Sequence, residues 1–171
     1  MIVADASVLI ALAKMHSVDL LNSVYGDVLI GPQVKAETVD VGKRIGAPGV
    51  ERIEKALDVG WLEVARLSSK EKSTAQRIAS KGGLDAGEAE SLALASSRKL
   101  TVILDDRAAR SFAEVMGVQF IGTAGMLFHA FAKKHLTLAE LEDAVETLSQ
   151  TIWLAPAVVV EILKKAREGE R

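Results

Sequence analysis

The sequence predicts a three-layer α/β/α fold: a central parallel sheet of about five strands, with extra C-terminal helices. Short apolar runs alternate with segments of helical period, which is the pattern of a parallel α/β sheet. Glycine and proline stand at the joints. After Gly122 the alternation stops and the pattern becomes purely helical.

The first apolar run, IVAD, predicts a strand over 2–5, followed by helical stretches over 8–15 and 18–23. DVLI predicts the second strand, over 27–30, closed by the Gly31 and Pro32 turn signal. Helices over 33–41 and 50–59 follow, separated by Ala47, Pro48 and Gly49. The third strand spans 61–65. A helix over 70–80 ends at Gly82 and Gly83, and another covers 87–98. The fourth strand, TVILD at 101–105, leads into a helix over 107–116, and the fifth strand lies at 119–121. The remaining helices are expected over 123–134, 138–149 and 156–167, with Thr137 and Glu140 able to form a capping box for the second. Residues 1–135 thus hold the sheet and its helices. Residues 136–171 form a C-terminal helical extension expected to pack on the same domain.

The chain has 171 residues, 49% hydrophobic and 26% charged, enough for one ordinary globular core. Lys plus Arg number 21 and Asp plus Glu 23, a balance that excludes binding of nucleic acid by bulk positive charge. Cysteine is absent, which excludes disulfides, thiolate zinc sites and a cysteine nucleophile. The apolar start MIVADASVLIALAK has no basic segment before it and is interrupted by Asp5, unlike a secretory signal. No apolar stretch is long enough to span a bilayer. A cytoplasmic protein with no membrane partner is the expectation.

The chemistry lies in the acids. In an open parallel sheet, ligands gather beyond the carboxyl ends of the strands. Asp5 ends the first predicted strand and Asp105 and Asp106 end the fourth. Glu88 and Glu90 open the helix before that strand, and Glu37 lies in the helix after the second. Carboxylates brought this close raise one another's pKa unless cations intervene, and hard ions such as Mg²⁺ or Mn²⁺ take such oxygen ligands. Each acid has a plainer alternative. Asp5 can cap a helix, with Ser7 sharing that duty or hydrogen-bonding a metal ligand. Asp85 and Glu88 have the spacing of a capping pair. Glu88 and Glu90 point about 200° apart on a regular helix and can share a site only from its first turn. Adjacent strand residues face opposite sides, so one of Asp105 and Asp106 faces the metal, with Asp106 preferred, and the other caps the next helix. Arg107 and Arg110 fall where a helix dipole disfavours cations, which invites a partner: the acids or a substrate phosphate. Arg66, Lys70, Lys72, Arg77 and Lys81 form a basic stretch that can meet a phosphate backbone or simply be a solvated helix face. His16, His129 and His135 lie outside the acidic motifs.

On the pieces VADASVLIALAK, IGPQVKAETV, LDAGEAESLALA, VILDDRAAR and FIGTAGML, the sequence resembles the PIN-domain superfamily of nucleases over roughly residues 1–130. It is most similar to a largely prokaryotic branch with a GEAE motif, related to VapC-like toxins. The resemblance implies catalytic acids at Asp5, Glu37, Glu88, Asp105 and Asp106. Asp5, Glu88, Asp106 and Glu90 would be the metal ligands. Many family members have an aspartate as the third acid; here Glu88 and Glu90 stand instead, similar to the glutamate pair of flap-endonuclease relatives. Thr123 matches a hydroxyl beside the acidic pocket, and Ser7 and Thr123 would support the ligands. Arg107 and Arg110 would bind phosphate. The resemblance further implies Mg²⁺- or Mn²⁺-dependent hydrolysis of phosphodiesters, RNA ahead of DNA. It also implies homodimers, and an antitoxin partner where such a protein is the toxin of a toxin–antitoxin pair. The alternative is a non-catalytic PIN-like module that binds RNA or protein. A haloacid-dehalogenase phosphatase needs a second acid where Ser7 stands, and a response-regulator receiver needs its acidic pair early, not at residues 105 and 106.

Overall fold

The computed structural model describes residues 1–169. Its sheet has five parallel strands: β1 (Ile2–Ala4), β2 (Val28–Ile30), β3 (Leu62–Val64), β4 (Val102–Ile103) and β5 (Phe120–Ile121), in the order β3-β2-β1-β4-β5. Helices α1 (Ala6–Lys14) and α2 (Asp19–Tyr25) connect β1 to β2. Between β2 and β3 run α3 (Pro32–Lys35), a π-helical segment (Ala36–Val41), α4 (Gly42–Ile45) and α5 (Val50–Val59). Helices α6 (Ser69–Gly82) and α7 (Ala86–Arg98) connect β3 to β4, and α8 (Arg107–Met116) connects β4 to β5. Helices α9 (Thr123–Ala132), α10 (Leu138–Thr151) and α11 (Pro156–Gly169) complete the described chain.

Strand alternation divides the core. Ile2, Ala4, Val28, Ile30 and Ile103 bury against α1, α2, α5 and α9. Val3, Leu29, Val102 and Leu104 bury against α6, α7 and α8. Strands covered on both faces read as continuous apolar runs, which is why they stand out in the sequence. Leu141, Val145 and Leu148 of α10 and Ile162 and Ala166 of α11 belong to the same buried cluster as Leu9 and Leu12 of α1. The C-terminal helices therefore complete one face of the sheet.

The connections leave β1 over one face toward β2 and β3, then cross to the other face for β4 and β5. The strand order reverses between β1 and β4, and a crevice opens beyond their carboxyl ends. The strands are shorter than the apolar runs that predict them. β1 stops at Ala4 because Asp5 turns to cap α1, and β4 stops at Ile103. The helix expected over 33–41 is three segments running on to Ile45, with the π-helical turn inside. No helix among the described residues is long and apolar enough to cross a membrane.

One ion pair on a buried carboxylate ties the second helical layer together. Ser68 caps α6 in a capping box with Glu71, whose side chain is only 4% exposed. Glu71 accepts hydrogen bonds from Arg98 Nε at 2.9 Å and from Ser68 N at 2.7 Å, while Arg98 Nη2 also donates to Arg66 O at 3.2 Å. The start of α6 and the end of α7 are thereby clamped to the strand exit at β3. The hydrogen bond from Arg98 holds the Glu71 carboxyl down at about 2, against an ordinary 4.5. A depressed carboxyl gives stability that is present above the ordinary pKa and lost as pH falls toward the folded value. Arg98→Met should cost about 2 kcal/mol at pH 7, since it leaves a buried charge short of a donor. That cost should shrink as pH drops from about 5 to 2 in urea titrations. A cost independent of pH would show that the ion pair is not what Arg98 contributes.

Candidate metal and catalytic site

Asp5 leaves β1 in extended conformation and becomes the N-cap of α1. Its Oδ2 accepts from Ser7 Oγ at 3.0 Å and Ser7 N at 3.4 Å, and its Oδ1 from Ser91 Oγ at 3.5 Å. Asp5 is 4% exposed, and burial raises its pKa. Asp106 leaves β4 on the neighbouring strand and caps α8, its Oδ1 accepting from Ala109 N at 2.8 Å.

The DAGE segment sets the third corner. Asp85 caps α7 by accepting from Glu88 N at 2.8 Å, and Glu88 Oε2 accepts from Asp85 N at 3.1 Å. Capping therefore does not compete with a place in the site, because the box holds Glu88 there. Burial, reinforced by the charges of Asp85, Asp106 and Asp5, pushes the Glu88 carboxyl up to about 7. Glu37 comes from the π-helical segment, with Oε1 accepting from Gln33 Nε2 at 3.0 Å. Its pKa is raised by burial and by the charges of Asp85, Asp5 and Glu90. Gly87 is what lets it in: a Cβ there would stand 3.1 Å from Glu37 Oε2 and 3.2 Å from Oε1. The glycine of GEAE is thus a gap for a carboxylate on another helix.

Glu37, Glu88 and Asp106 share a pattern: each has one oxygen held by a neighbouring donor, leaving acceptor capacity on the other, while Asp5 accepts at both oxygens but at Oδ1 only from Ser91 at 3.5 Å. Asp105 differs. Its Oδ1 accepts from Thr123 N at 2.9 Å and Arg110 Nη2 at 3.2 Å, and its Oδ2 accepts from the buried Thr123 hydroxyl. Arg110 Nε also donates to Leu104 O at 2.7 Å, so this guanidinium braces the end of β4. Its Nη2 fills the space where a Cβ on Gly122 would lie. Arg110, expected to bind phosphate, thus spends Nε and Nη2 on Leu104 O and Asp105, while its side chain still lines the groove at Asp105 and Asp106. Arg107 is exposed and makes no ion pair among the described residues.

Glu90, expected as a metal ligand, has one oxygen engaged elsewhere, while its charge still bears on Glu37. Two residues beyond Glu88 on a regular helix, it points away, and its Oε2 accepts from Gln33 N at 2.8 Å. Gly31 offers α3 no side-chain cap, so Glu90 caps that helix from α7. Gln33 consequently holds two acids, Glu90 through its backbone and Glu37 through its amide. Gln33 and Ser91 were not anticipated. Ser91 could have been found, since it lies one helical turn beyond Glu88 on the same face. Thr123 and Ser7 sit against Asp105 and Asp5. The basic stretch does border the acids at one point, where Lys72 lines a hollow of about 410 Å³ with Pro32, Ala86 and Glu90.

None of Asp5, Glu37, Asp85, Glu88, Glu90 and Asp106 has an ion-pair partner among the described residues. Nor are any three Asp, Glu, His or Cys side chains among them arranged to hold a metal ion as they stand. The donor set nevertheless suits a hard divalent cation. It offers only oxygen and carries an excess of unpaired negative charge, and Mg²⁺ commonly takes one or two carboxylates and keeps its waters.

The model of a family described as a PIN domain matches residues 1–168. Neither a curated protein nor a solved structure matches the chain.

A raised carboxyl stabilises the fold only while protonated, so its contribution is lost as pH rises through about 7. Glu88→Gln keeps an acceptor for Asp85 N and removes the charge. In chelator-treated protein it should raise Tm at pH 8 by roughly 2–4 °C, what about 1 kcal/mol is worth in a chain this size. At pH 5 the gain should vanish. Thermal melts that show equal gains at both pH values would rule out charge repulsion as the cause.

Proposed function

The chain belongs to the PIN-domain family, and from that premise we propose that it is a divalent-metal-dependent endoribonuclease hydrolysing phosphodiester bonds. PIN domains are in general metal-dependent nucleases. The observation that supports this reading here is the set of carboxylates at the ends of β1 and β4, which repel one another and have no counter-cation among the described residues.

In this proposal Asp5, Glu88 and Asp106 hold the cation through their less committed oxygens, with Glu37 assisting. When bound, a divalent cation lowers the pKa of a water and offsets charge on the phosphate oxygens. The rest is positioning by the chain. Ser7 and Ser91 fix Asp5, Asp85 fixes Glu88, Gln33 fixes Glu37, and Ala109 N fixes Asp106. Arg110 and Thr123 immobilise Asp105, so that the chain turns at β4 with Asp106 toward Glu88. No nucleophilic side chain is required. Arg107 lines the groove at Asp105 and Asp106 and Lys72 lines a hollow with Glu90, so each is placed to meet a phosphate backbone passing the acids.

The wild-type chain should cleave end-labelled RNA in Mn²⁺ or Mg²⁺ and stop with chelator. Asp5→Asn should reduce the rate by at least about 100-fold, since even partners of metal ligands are commonly worth 10–100-fold. Identical products from both proteins would indicate a contaminant and sink the assignment. An intact protein that binds RNA and never cuts it would leave the non-catalytic module as the better reading.

Lys72→Gln with Arg77→Gln should weaken RNA affinity and flatten its salt dependence by up to two charges' worth of slope, with kcat unchanged. Superimposable salt titrations would remove α6 from the substrate path.

A further inference from the structure

A groove of about 1120 Å³ opens at Asp105 and Asp106 and runs between α9 and α11 to the connector that follows α10. It exceeds an ordinary small-molecule pocket of about 300–1,000 Å³. Phe120 and Phe128 lie along it, Arg107 stands at the acidic end and Lys165 on the α11 wall. Lys165 is tied only to Glu161 one turn away, a surface pair of little strength.

The connector explains the groove's most unusual residue. Ile152 is in extended conformation (φ −132°, ψ 159°), and Ile152 and Leu154 pack on the core of the first face. Alternation then turns Trp153 outward, and it is 84% exposed on the groove wall. A large ring left this open stabilises nothing inside the monomer.

The geometry points to this groove as the path of single-stranded RNA beside the cleavage site, with a base stacked on Trp153. This inference rests on the nuclease reading: a strand whose phosphate sits at Asp106 must continue outward, and the groove begins at that residue. Single-stranded nucleic acid is held by aromatic platforms combined with cations along the backbone; this groove offers Phe120, Phe128 and Trp153 with Arg107, Arg110 and Lys165, beside Glu161 and the acids at its mouth. A base-paired duplex presents no free faces to Trp153. The connector after α10 and helix α11, which wall the groove opposite α9, would then serve substrate grip rather than chemistry.

The chain has two tryptophans, so Trp61→Phe leaves Trp153 as the only indole emitter. With chelator present to prevent cleavage, a short fluorescein-labelled single-stranded RNA should quench Trp153 emission. Trp153→Ala should weaken binding of that RNA about tenfold, within the range for one stacked base. An RNA of the same length with abasic sites should bind the parent about as weakly and be indifferent to Trp153→Ala. Because Trp153 lies outside the core, the variant should melt with the parent. Unchanged affinity in Trp153→Ala, bound RNA that leaves the emission unaltered, or equal binding of duplex would overturn the proposal. If Asp5-dependent cleavage persists in those cases, the nuclease reading survives without the groove. Stacking without cleavage in any divalent cation would leave the groove as an RNA site and end the nuclease reading. Loss of acrylamide access to Trp153 with rising protein concentration, without RNA, would show a second copy in the groove and also overturn the proposal.

Discussion

Mutual repulsion among carboxylates is the constraint around which this molecule is arranged. A parallel sheet whose strand order reverses between β1 and β4 delivers Asp5 and Asp106 to one crevice, and α7 and the π-helical segment add Glu88 and Glu37. Left free, such side chains would swing apart into solvent. Each is instead held by a nearby donor: a serine, a capped backbone amide or an amide side chain. Anchoring one oxygen fixes the charge in place without consuming the carboxylate. Asp105, with both oxygens bound to Thr123 and Arg110, shows what full consumption looks like. It is a structural brace beside four acids that keep acceptor capacity.

Helix capping does much of this work. Asp5, Asp85 and Asp106 are all N-caps, and Glu90 caps α3 across space. A helix N-terminus favours negative charge, so α1, α7 and α8 each lower the cost of the acid at their start. The backbone dipoles partly offset the repulsion before any cation arrives. Desolvation by burial, and after it the charges of neighbouring acids, still keeps the Glu88 and Asp5 carboxyls raised.

Much of this was legible in the residues. β1, β2 and β4 lie within apolar runs because they are buried on both faces, whereas the edge strand β3 carries the exposed Glu63. The DAGE spacing announces the capping box, and the 200° divergence of Glu88 and Glu90 follows from helical geometry alone. What could not be read were contacts made across the fold. Gln33 reaches Glu90 and Arg110 turns back to Leu104, and neither pairing leaves a mark in local periodicity. The π-helical turn is hidden for a related reason, since a few residues of altered winding do not disturb the apolar spacing around them. Trp153 could be seen, but only the inward packing of Ile152 and Leu154 shows that it faces outward.

The pairing of β1 with β4 also has a consequence in time. Val3 and Val102 are register partners, so the two halves of the acidic crevice lie about a hundred residues apart along the chain. Non-local parallel pairing is slow to form. Synthesis proceeds at about 5–20 residues per second, so Asp5 emerges on the order of ten seconds before Asp106 exists. A nascent or broken-off N-terminal half carries its first acid without the rest of the crevice. The crevice is therefore closed to any cation or ligand that needs both of its sides until β4 has been made and has paired with β1.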